Sequence, residues 1–91
     1  MLKAFCIFDA AATAAMRPFF AQSAGAAIRE FTDIVNNPEH PIGKHPEDYT
    51  LFAIGEFNEQ SGTLEGCTPA SLGNGLTYLR KPHLLEEASS G

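Results

Sequence analysis

The sequence predicts an α+β fold in which one helix packs on a small, mainly antiparallel sheet of about four strands, in the order β-β-α-β-β. Three stretches carry that expectation. Leu2–Phe8 is an almost unbroken apolar run rich in Phe and Ile, too short to favour a helix. Ala24, Ala27, Ile28, Phe31, Ile34 and Val35 recur at helical spacing. Tyr49–Phe57 returns to strand composition and is followed by a turn and a second extended stretch.

In chain order, Leu2–Phe8 reads as a buried strand closed by Asp9. Ala10–Met16 is alanine-rich and predicts a helical turn, cut short because Pro18 pushes Arg17 toward extended backbone. Phe19–Gln22 reads as a second strand, with Pro18 at its start or on an edge, since proline has no N–H to give to a ladder. Ser23 is placed to cap a helix from about Ala24. Arg29 and Asp33 lie four apart on its solvated face, where such a pair contributes about 0.2–0.5 kcal/mol. Asn36-Asn37 ends the helix before Pro38. Pro38, Pro41 and Pro46, with Gly43, His40 and His45, then specify a stiff, irregular connection. Alternation places Leu51, Ala53, Gly55 and Phe57 on one face of the next strand and Phe52, Ile54 and Glu56 on the other. Asn58–Gly62 is a turn in which Gly62 supplies a positive φ, and Thr63–Glu65 returns as a short strand. The core domain is thus 1–66. Residues 67–91 form a C-terminal extension, with Leu76, Tyr78 and Leu79 docking on the core and the Ser-Ser-Gly end disordered.

A single domain of 91 residues buries only about 60–65% of the surface that its unfolded chain exposes. Seven Phe and two Tyr help a small core, since each ring can bury about 150–250 Å², and stability of about 5–10 kcal/mol is expected. One helix cannot cover four strands. The uncovered face and unpaired edges predict a homodimer or a bound partner, with an intertwined, hairpin-swapped dimer as the runner-up. Six Lys and Arg against eleven Asp and Glu leave a net charge of −5, so the chain as a whole repels phosphate. A nucleic-acid role would need a local basic patch, an aromatic stacking surface or a partner protein. No apolar run approaches the ~20 residues of a membrane span, and no charged-then-apolar leader opens the chain, which predicts a cytoplasmic protein. In that compartment no disulfide is expected between Cys6 and Cys67.

Signals for catalysis are sparse. His45 with Glu47 and Asp48 could form a carboxylate-oriented general base, but no nucleophile accompanies it, and the plainer reading is a proline-framed turn over Tyr49. Cys6, Cys67, His40 and His45 are zinc-ligand types without the short-spaced pair that structural sites use. Gly73-Asn74-Gly75 lacks the Lys-Ser/Thr of a phosphate loop and reads as a turn. The expectation is a nonenzymatic protein with no catalytic residues, no metal and no cofactor.

One further pattern adds context. Ala27, Ile28, Arg29, Phe31, then Lys44, His45, Pro46, Glu47, Asp48, Tyr49, Leu51 and Phe52, closing on Gly55 and Glu56, resemble the small nonstructural protein of gokushoviruses, which are single-stranded DNA bacteriophages. The opening strand and Pro18-Phe19-Phe20 join the resemblance, while the tail after Gly66 matches only loosely. It implies a phage protein in the host cytoplasm that binds single-stranded viral DNA or the replication complex and promotes the switch from replication to packaging. Lys3, Arg17, Arg29 and Lys44 are then the candidate phosphate contacts. Phe19 and Phe20, with Tyr49 or Phe52, are the candidate stacking surfaces, worth about 1–3 kcal/mol per base. His45–Tyr49 is a family motif without an assigned role. The competing reading is an acidic adaptor that engages a phage replication or procapsid protein and never touches DNA; in it the aromatics are core and the cations solvated.

Overall fold

The computed structural model describes residues 1–80 and shows an α+β protein. Its elements are β1 (Leu2–Asp9), β2 (Ala14–Ala15), β3 (Phe19–Ala21), α1 (Ala24–Val35), α2 (Pro41–Lys44), a 3₁₀ turn (Pro46–Asp48), β4 (Tyr49–Asn58), β5 (Thr63–Asn74) and α3 (Gly75–Tyr78). All strand pairs are antiparallel, in the order β2-β1-β4-β5, with β3 beside β2 on the same edge of β1. The Ser-Ser-Gly end, expected to be disordered, lies outside the described residues.

Helix α1 forms as its spacing dictates. The Ser23 hydroxyl accepts from the Ala26 N–H at 3.1 Å, and Asn36 closes the other end. Ala27, Phe31 and Val35 are buried against Phe5 and Ile7 of β1, Ala21 of β3 and Leu51 of β4, with Ile42 of α2 completing the cluster. Beneath it Phe5 and Phe19 pack with ring centroids 5.8 Å apart. Asn36 also joins distant parts of the chain, since its amide donates to the Tyr78 carbonyl at 3.1 Å and its side-chain oxygen accepts from the Arg80 N–H at 2.7 Å.

Four expectations are corrected. Ala10–Met16 is not a helical turn: the Asp9 carboxylate accepts from the N–H groups of Ala11 and Ala12, Thr13 takes φ 55°, and the chain reverses into β2. A short acidic side chain competes well for local backbone donors, and alanine propensity loses to it. The returning strand runs from Thr63 to Asn74 rather than stopping at Glu65, because register shifts opposite Leu51/Phe52 and Ala53/Gly55 absorb its glycines and Pro69. A shift at Ala4/Phe5 passes over Ile54, so Gly55 and Phe57 fall on the face of Phe52 rather than on that of Leu51 and Ala53. Asp33 lies 4.0 Å from the Arg80 guanidinium instead of pairing with Arg29. The predicted turn over Asn58–Gly62 forms, with Gly62 at φ 77°.

Candidate functional site

The proline-rich connection folds into a compact junction. The His40 Nδ1 accepts from the Ile42 N–H at 3.1 Å and caps α2, which commits that nitrogen's lone pair. Pro46 is buried and opens the 3₁₀ turn, whose end at Asp48 accepts through its carbonyl from the Ala10 N–H at 2.8 Å. Asn74 at the end of β5 donates its amide to the Glu47 carbonyl and the Thr50 hydroxyl, both at 3.1 Å, and its oxygen accepts from the Leu76 N–H. His45–Tyr49 therefore ties together the ends of β1, β4 and β5 and the start of α3. Tyr49 is half-buried, and burial, then the Asp9 and Asp48 carboxylates, push its phenol above the usual tyrosine range.

His45, Glu47 and Asp48 offer ligand-type atoms within 4.8 Å of one another. His45 and Glu47 stand in solvent, with His45 Nδ1 4.0 Å from the nearer Glu47 oxygen. The structure does not bring Cys6 or Cys67 to this group; Cys6 is buried in β1 and Cys67 exposed on β5.

A larger feature is the face of the sheet away from α1. Cross-strand registers set its rows: Leu2–Phe57–Leu64, Phe20–Ala4–Gly55–Gly66, Cys6–Phe52–Ser71 and Ala15–Phe8–Thr50–Asn74. Two aromatic pairs lie on it, Phe20 with Phe57 at 5.5 Å between centroids and Phe8 with Phe52 edge-on at 6.5 Å. These rings shelter Ala4 and Cys6, yet Phe20 remains 42% and Leu64 58% exposed. Neither aromatic pair joins the helix-covered core. No position in these rows carries an ionised side chain. The neighbouring charges, Lys3, Glu56 and Glu65, alternate to the opposite face, where Lys3 pairs with Glu56 at 3.1 Å.

A family model described as Phage ORF5 protein matches residues 2–78. The chain belongs to this phage family. No curated protein and no solved structure matches it. The Phage ORF5 match runs from the start of β1 to the end of α3, so the part of β5 beyond Gly66 lies within the family's span.

In this Phage ORF5 protein the expected binding residues are dispersed. Lys3 is engaged by Glu56, Arg17 is exposed on the link between β2 and β3, Arg29 on α1, and Lys44 at the end of α2. Phe19 belongs to the core side with Phe5, and of the predicted stacking residues only Phe20 and Phe52 occupy the open face. Sequence reasoning missed Leu2, Phe57, Leu64 and Asn74. Phe57 was assigned to the wrong face because the shift at Ile54 leaves no mark in the sequence, and Leu64 sits in a strand whose glycines resemble a loop.

Proposed function

We propose that this Phage ORF5 protein is a nonenzymatic association module of a single-stranded DNA phage of the gokushovirus kind, serving genome replication or packaging in the host cytoplasm by joining protein surfaces through the open aromatic face. One observation carries this reading: an acidic chain displays a sheet face rich in Phe and Leu, free of charge and uncovered among the described residues. The centres of protein interfaces are enriched in aromatics and depleted of charge, whereas grip on nucleic acid rests on cations that meet phosphates. Here the described cations stand off this face, Lys3 on the other side of the sheet and Arg17, Arg29, Lys44 and Arg80 on other segments.

A second reading, direct binding of single-stranded DNA, is favoured by the exposed Phe20 ring beside Phe57, a geometry on which a base could stack. Fluorescence anisotropy of labelled single-stranded and duplex DNA at two salt concentrations separates the two, run beside titrations of the purified phage replication and procapsid proteins. The association reading expects no DNA binding even at low salt, and protein binding that Phe20→Asp abolishes. Salt-weakened binding to single strands, lost in Arg17→Ala and Phe20→Ala, would overturn it in favour of genome handling.

A further inference from the structure

We infer that the occupant of the open aromatic face is a second copy of this chain, packed sheet on sheet. This rests on the association reading and names its partner. The first argument is charge. Two chains of net charge −5 can meet only where their charges point away from the contact, and the rows from Leu2–Phe57–Leu64 to Phe8–Thr50 are such a place. A basic partner would instead seek the acidic groups, which lie off this face.

The second argument is shape. The large ridge Leu2–Phe57–Leu64 borders a row that ends in Gly55 and Gly66, where there are no side chains. A two-fold axis lying in the contact between the Gly55 and Phe52 rows overlaps all four rows and sets Phe52 of one copy over Gly55 of the other, the large-on-small fit that lets facing sheets interdigitate. Size agrees as well. Four strands about 4.8 Å apart, crossed by eight residues at about 3.4 Å each, give a footprint of roughly 500 Å² per copy. The total of roughly 1,000 Å² is just sufficient for a specific contact. The β5 edge is the weaker route to assembly, since Pro69 and two register shifts interrupt its ladder.

The test is sedimentation velocity on the full chain from about 1 to 100 µM, with Leu64→Asp, Phe20→Asp and, as an off-face control, Leu76→Asp on α3, which is 55% exposed. The wild type is expected to dimerise. Each face variant should weaken the dimer by at least about tenfold while keeping the wild-type circular dichroism, and the control should leave it unchanged. Added salt should tighten the dimer, because it screens the repulsion between two acidic copies. A monomeric wild type throughout, face variants that dimerise normally, or a control that dissociates equally would each overturn the inference. If the wild type is monomeric and Phe20→Asp still abolishes binding to the phage proteins, the second copy fails and the association reading stands. If the face dimer forms and those proteins do not bind, the reverse holds.

Discussion

Asn74 shows how much of this fold rests on single polar side chains. Its oxygen caps α3 locally, through the Leu76 N–H, and its amide satisfies the Glu47 carbonyl and Thr50 hydroxyl, two contacts to a segment far away in the chain. Asn74→Ala removes all of them and is expected to cost about 2 kcal/mol in urea unfolding; Asn74→Asp keeps the cap, loses both donors, and should fall between. Tyr49 sets a different dependence. Its phenol is raised by burial, then by Asp9 and Asp48, so above the ordinary value of 10.0 the folded state holds its proton while the unfolded state releases it. Stability is then fully present below pH 10.0 and lost as pH rises beyond it, and Tyr49→Phe should flatten that decline in melts across alkaline pH. At this scale the sequence was legible where partners are local: Ser23 as a cap and Gly62 at a turn. Asn74 read as a mere turn residue because its amide acts on groups 24 and 27 positions away.

Among the elements, α1 could be read from spacing alone because burial of one helical face repeats along the chain, while of the β4–β5 hairpin the turn and both strands could be read but not the length of β5 or the faces the strands present. Where these strands cross at Gly55 and Gly66 they approach so closely that a Cβ on Gly55 would overlap the Glu65 carbonyl, whereas one on Gly66 meets only the Ile54 carbonyl at 3.8 Å. Gly55→Ala is therefore expected to destabilise by roughly 1–3 kcal/mol in thermal unfolding and Gly66→Ala by less than about 0.5. Equal effects would mean that the two strands lie farther apart at this crossing. The same close approach, with the shift at Ile54, turns Phe57 onto the open face, and a strict two-residue alternation has no means of showing it. The strand could be seen in the sequence, but the face it presents could not.

At the scale of the whole molecule, the long strands β4 and β5 reach past the part of the sheet that the helices cover. The helices gather on one face near the Phe5–Leu51 core, and the far end of the hairpin extends beyond it. A boundary after Gly66, natural from composition, crosses β5 within its span. Residues beyond it supply the Ala70–Asn74 pairing to β4. They also supply Tyr78, whose ring packs edge-on against Phe31 at 6.0 Å and whose hydroxyl donates to the Leu72 carbonyl. The Tyr78 carbonyl in turn receives the Asn36 amide at the end of α1. A chain stopped after Gly66 thus uncovers Leu51 and Phe31 together and leaves the central strand β4 with half an edge. In a fold this small, with stability of about 5–10 kcal/mol, losing two such aromatic and strand contacts is expected to abolish cooperative melting. A sharp calorimetric transition with native helix content in that truncated chain would show instead that residues 1–66 fold on their own, and that the second half of β5 is an addition to the fold rather than part of its core.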